Sequence, residues 1–161
     1  DPQFYLSMME QSYLHEEIGA MKEALHFAIE ATMLNENSLD YQKRLAFLYI
    51  NDGQFEESLK CLKKLVDNEP NRFYNWYAFT EVLMLIGQYE EAITILNSAV
   101  KKHKRAELYY QLSNSYLNLN MTEKGKEALE KALELDANLL EDMQQKYPFL
   151  KDEDKKTKTK K

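Results

Sequence analysis

The sequence predicts an all-α protein assembled from repeated helix pairs, and three observations carry that reading. A short phrase recurs: GAMKEA from Gly19, GQFEES from Gly53, GQYEEA from Gly87 and NMTEKG from Asn120, at spacings of 34, 34 and 33 residues. A fixed period of about 20–50 residues marks a stacked array of supersecondary units. Breakers are scarce, with four glycines and three prolines in 161 residues, while Ala, Leu, Glu and Lys are abundant, which favours helix over strand. Apolar residues also fall at helical spacing around each phrase.

The elements follow in order. The first copy spans 5–38; Gly19 divides it, and Ala24 and Ala28 mark its second helix. The second spans 39–72, with Gln42, Leu45, Ala46 and Tyr49 ahead of Gly53, and Ser58 and Leu62 after it. The third spans 73–105. Trp76, Phe79, Leu83 and Ile86 form its first apolar stripe, and Ala92, Leu96 and Ala99 its second. The fourth spans 106–138, with Tyr109, Leu112, Ser113 and Tyr116, then Gly125 and Leu129. The residue at each phrase start ends a helix in the left-handed conformation, which glycine adopts freely and asparagine tolerates. Small residues at Ala24, Ala46, Ser58, Thr80, Ala92 and Ser113 let paired helices approach closely. Beyond them, Asn138 caps a short helix over 139–150 that carries Leu139, Leu140 and Met143 and ends at Pro148. An array needs such a polar-faced end. Residues 151–161 hold no apolar side chain and read as a solvated, disordered charged tail.

Charge and composition exclude several function classes. The net charge is −6, and because the tail carries +3, residues 1–150 carry −9, which argues against a nucleic-acid partner. Single Cys61 cannot build a disulfide framework or a cysteine zinc site. No apolar run reaches the roughly 18 residues of a membrane span. No signal peptide is visible although the chain opens on Asp1, and a cytoplasmic location is the expectation.

Catalytic chemistry finds no foothold either, and neither a metal nor another cofactor is expected. HEEIG at His15 lacks the second histidine that a zinc-protease helix places four residues on. His15 lies on a packing face and reads as a satisfied structural histidine. Cys61 sits between the packing positions Ser58 and Leu62; Lys60 and Lys64 beside it are able to lower its pKa, yet a partly buried structural thiol is the expectation. Glu56–Glu57 and Glu90–Glu91 are adjacent carboxylates that diverge on a helix and suit its positive end. KKHKR at Lys101–Arg105 closes a second helix, where cations are favoured.

Taken together, Trp76-x2-Phe79-Thr80-x2-Leu83, Tyr109-x2-Leu112-Ser113-x2-Tyr116 and Gln42-x2-Leu45-Ala46-x2-Tyr49 resemble the first half of the tetratricopeptide repeat. Ala92-x3-Leu96, Ser58-x3-Leu62, Ala24-x3-Ala28 and Gly125-x3-Leu129 resemble its second half. The repeat-ending proline stands only at Pro70, and Gln11 and His15 depart from the pattern in the first copy. The resemblance covers about Tyr5 to Asn138. It implies a right-handed superhelical stack, an α-α solenoid, and a non-catalytic role in protein–protein interaction. An Asp-Pro pair commonly closes such a repeat, so residues 1–4 read as the end of a preceding repeat, and the chain as part of a longer array.

First helices of this family line a concave groove that holds an extended peptide or a partner helix. Carried onto this chain, the groove positions give Tyr13, Lys43, Arg44, Phe47, Tyr74, Tyr77, Glu81, Tyr110 and Asn114 as the candidate binding residues. Tyrosine suits such a surface because it joins apolar area to a hydroxyl. The Lys/Asn/Arg clamp with which chaperone-binding members hold a carboxylate is missing: Phe47, Ala78 and Glu107 stand at three of its positions. A chaperone C-terminal tail is therefore not the expected ligand, and the partner is a protein or peptide of unknown identity. The competing reading is a structural spacer or self-associating segment of a longer scaffold, which leaves homo-oligomers open.

Overall fold

The computed structural model describes residues 2–138, which form eight α-helices: α1 (Pro2–Glu17), α2 (Met21–Leu34), α3 (Leu39–Asn51), α4 (Phe55–Asn68), α5 (Phe73–Leu85), α6 (Tyr89–Lys102), α7 (Ala106–Asn118) and α8 (Thr122–Leu135). No strand occurs among the described residues. The capping helix expected over 139–150 and the tail 151–161 lie outside them. The chain divides into two compact units, Asp1–Ile95 and Leu96–Lys161, with the boundary inside α6.

Each expected turn is made the same way. Gly19, Gly53, Gly87 and Asn120 have φ of 80°, 76°, 78° and 58°. The amide after each returns to a carbonyl five residues back: Ala20 to His15, Gln54 to Tyr49, Gln88 to Leu83 and Met121 to Tyr116, at 2.8–2.9 Å. The turn residue's own amide returns to the carbonyl three residues back, at 2.9–3.1 Å, and the two bonds satisfy carbonyls that the helix end would leave bare. Asn120 therefore does the work of glycine in the fourth copy.

In the first unit α1 packs on α2, α3 on α4, α2 on α3 and α4 on α5. Alanines and small hydroxyl residues make the close approaches: Ala24, Ala28, Ala31, Ser12, Ser58 and Thr80 are fully buried. The hydroxyls of Thr32 and Thr80 bond the carbonyls of Ala28 and Trp76 one turn back, so burying them leaves no polar group unpaired. Tyr41 of α3 packs against Met9 of α1 and Ala31 of α2. Trp76 is buried, as its place in the repeat requires. In the second unit α7 packs on α8 around Gly125, where an added Cβ would lie 2.7 Å from Leu117 Cδ2. Gly125 is thus a packing glycine, not part of a phosphate loop.

Candidate functional site

Helix geometry puts Lys43, Ala46, Phe47 and Ile50 on one side of α3, at spacings of three and four residues. Tyr74 and Ala78 share a side of α5 by the same rule. The two sides flank a cleft of about 540 Å³, floored by Leu62 and Leu65 of α4 and closed at one end by Arg72, Phe73 and Asn75. Ala46 and Ala78 leave the space, and large side chains surround it. Phe47 is 46% exposed and Tyr74 75% exposed. An apolar pocket edged by exposed aromatics is the usual form of a side-chain binding site.

The polar end of the cleft is held by Glu69. Its carboxylate accepts from Asn75 Nδ2 at 3.3 Å and pairs with Lys43 Nζ at 3.3 Å and Arg72 Nε at 3.1 Å. Asn75 Nδ2 also donates to the Leu65 carbonyl at 3.2 Å, tying α5 to α4. The Asn75 amide, followed by Lys43 and Arg72, holds the Glu69 carboxyl below its ordinary pKa. Lys43 reaches Asp40 as well, at 3.2 Å. The charges at this end are therefore matched within the protein.

The nine residues expected in a groove separate into groups. Lys43, Phe47 and Tyr74 meet at the cleft. Tyr77 is half-buried, its ring 5.9 Å from that of Phe73, which lies 5.0 Å from Tyr74; Glu81 is exposed one turn further along α5. Tyr13 and Arg44 form a second cluster. Arg44 corrects an expectation: instead of presenting its charge to a ligand it is only 7% exposed. It donates from Nε to Ser12 Oγ at 3.1 Å, from Nη2 to the Ser12 carbonyl at 2.8 Å and from Nη1 to Glu16. Its guanidinium lies 4.1 Å from the centroid of the exposed Tyr13 ring. Buried charge is tolerated only with such partners, so Arg44 is a tie between α3 and α1. Asn114, in the second unit with Tyr110, is likewise buried, at 4% exposure; its backbone carbonyl accepts from Asn118 Nδ2. Tyr110 is half-buried.

Sequence reasoning omitted Ile50, Phe73 and the floor residues Leu62 and Leu65. Ile50 was within reach, because it stands three residues past Phe47 and seven past Lys43 on the same helix face. The floor was not, since nothing in a single helix pattern tells that α3 and α5 stand apart over α4.

Other reactive groups are occupied structurally. His15 Nδ1 lies 2.8 Å from the Gln11 carbonyl, and its ring 4.9 Å from Phe27. Burial pushes the Cys61 thiol up, outweighing Lys64 and Lys60. Among the described residues no cluster of three or more His, Cys, Asp or Glu is placed to hold a metal, and no helix is long and apolar enough to cross a membrane.

Comparison with known proteins accords with the repeat geometry. Tetratricopeptide repeat profiles match residues 44–72 and 106–139. Human protein O-mannosyl-transferase TMTC1 is 30% identical over 115 residues, which is 71% of this chain and 12% of that protein. MamA from Desulfovibrio magneticus RS-1, from residue 41 to its end, superposes with a TM-score of 0.69 at 27% identity, covering 84% of this chain and 75% of that one. A further MamA crystal structure superposes with a TM-score of 0.75 at 20% identity, covering 85% and 75%, a likeness of fold. Period, helix pairs, left-handed turn residues and family matches agree: the chain is a tetratricopeptide repeat protein.

Proposed function

We propose that this chain is a non-catalytic interaction module that seats a partner segment in the cleft between α3 and α5. Its repeat class supports a role in protein interaction. The observation that carries the finer reading is the apolar cleft of about 540 Å³ with Phe47 and Tyr74 exposed at its mouth. Stacked repeats present their binding surface on such faces. Because Lys43 and Arg72 are balanced by Glu69 and Asp40, the partner is held by an apolar side chain in the cleft and by main-chain hydrogen bonds, with Tyr74 and Tyr77 beside it. The mode is helix-in-groove or extended-strand docking, with apolar anchors at its centre.

The test is a selection of peptides from a random displayed library against the chain, followed by titration of the winners. Selected peptides should share an apolar anchor, shift the amide resonances of α3 and α5, and lose affinity at least about tenfold on Phe47→Ala combined with Tyr74→Ala. A selection that yields no binder, or binders indifferent to both substitutions, would favour the spacer reading.

A further inference from the structure

We infer that a separate binding site lies in the cleft between α7 and α8 and takes an acidic side chain of a partner peptide. Tyr109, Leu112 and Tyr116 form one stripe of α7, at spacings of three and four residues. Lys124, Glu127, Ala128 and Lys131 form one stripe of α8 by the same rule. The two stripes line a cleft of about 230 Å³, to which α6 adds Asn97. At about 100° per residue, the Tyr109 stripe lies roughly 145° round α7 from Tyr110 and Asn114, so this is not the side expected to hold a peptide.

The internal repeat shows what is unusual here. The third residue of each second helix is Glu23 in α2, Glu57 in α4 and Glu91 in α6, but Lys124 in α8. An acid there suits the positive end of the helix, and a lysine opposes it. In α4, Glu57 pairs with Lys60 at 2.6 Å. In α8 the charges stand in the reverse order, Lys124 then Glu127, and no ion pair forms at Lys124, Glu127 or Lys131 among the described residues. Lys124 instead has its Nζ 5.8 Å from the centroid of the Tyr116 ring, within cation–π distance. Natural chains break a local preference chiefly at functional sites.

The lining chooses the ligand. Lys124 and Lys131 are exposed donors, and the half-buried Tyr109 and Tyr116 bring hydroxyls that form no hydrogen bond among the described residues. Donors therefore outnumber acceptors, which favours an oxyanion. Two ammonium groups and one carboxylate leave the cleft at +1, in a chain of net charge −6. That balance matches a single carboxylate, whereas a doubly charged phosphate would leave excess negative charge beside Glu127. The space is several times the roughly 30 Å³ share of one water, enough for a side chain and too small for a helix. The tyrosine rings supply apolar area for the methylenes of a glutamate.

The experiment titrates the chain with a hexaglutamate peptide capped at both ends and follows amide resonances. Hexaglutamine and a capped peptide carrying one phosphoserine serve as the other probes. Hexaglutamate should shift the amides of Tyr109, Tyr116, Lys124 and Lys131, with an affinity that falls as salt rises. Lys124→Glu should weaken binding at least about fivefold without lowering the melting temperature, because it restores the residue of the other three repeats. Lys131→Gln should weaken binding at least about threefold, and Glu127→Gln should strengthen it about twofold. Lys63→Glu, the same charge change on an exposed side chain of α4, should leave affinity within about twofold. Affinity unchanged by Lys124→Glu, or hexaglutamine bound as well as hexaglutamate, would overturn the inference. So would shifts scattered over lysines throughout the surface, which would mean diffuse charge attraction only. A phosphoserine peptide bound about tenfold more tightly than hexaglutamate would overturn the choice of ligand and assign the cleft to phosphate.

Discussion

The indole N–H of Trp76 donates to the Pro70 carbonyl at 2.8 Å. One residue begins the stripe of a first helix, and the other lies in the connection that ends the preceding repeat. The bond fixes that connection while the ring fills the space beneath it, so a single side chain serves both packing and chain path.

Replacing Trp76 should expose the two contributions separately. Trp76→Ala should cost about 3–5 kcal/mol through lost burial and the cavity left behind. Trp76→Phe keeps most of the apolar volume and loses the bond, and should cost less, about 1–3 kcal/mol. Urea denaturation, with the slope compared between variants, checks both; a Trp76→Phe chain as stable as the wild type would mean that the hydrogen bond contributes nothing.

Arg44 and Tyr13 make a different kind of pair. Arg44→Ala strands Ser12 and Glu16 and should lower stability by about 2 kcal/mol. Tyr13→Ala removes only a partly solvated ring over the cation and should cost under about 1 kcal/mol. A double-mutant cycle should show a coupling that leaves most of the Arg44 effect intact when Tyr13 is absent.

The Glu69 carboxyl gives stability a pH signature. Its native pKa lies below the unfolded value of about 4.3, so its contribution is full above that value and is lost as pH falls through the depressed native one. The wild-type chain should therefore exceed Glu69→Gln in stability at neutral pH, with the gap closing below about pH 4.3. Denaturation midpoints of the two chains from pH 7 to pH 3 measure it; a constant gap would contradict the assignment.

The turn residues should respond with opposite signs. Gly53→Ala forces a Cβ into the left-handed region and should cost about 1–2 kcal/mol, although no neighbour crowds it. Asn120→Gly relieves the residual strain at φ 58° and should raise stability by under about 1 kcal/mol. Thermal melts of the two variants distinguish these outcomes.

Binding at the α3–α5 cleft should be nearly indifferent to salt. The charges at its polar end are paired internally, so raising ionic strength from 0.05 to about 0.5 M should change peptide affinity by less than roughly threefold. A steep loss, read by titration calorimetry, would point to ion pairing with the ligand instead.

What the sequence determined by itself is the repeated unit. Helix ends, left-handed residues at Gly19, Gly53, Gly87 and Asn120, and the buried place of Trp76 follow from local backbone preferences and a 34-residue period, which a single chain displays openly. Exposure was only partly legible. Arg44 and Phe47 stand three residues apart on α3 and share one side by spacing, yet Arg44 is buried because Ser12 and Glu16 of α1 meet its nitrogens, while Phe47 opens onto a cleft. Periodicity tells which side of a helix a residue occupies. Only the tertiary structure decides what stands opposite, and a neighbouring helix at contact distance turns a surface position into a core one.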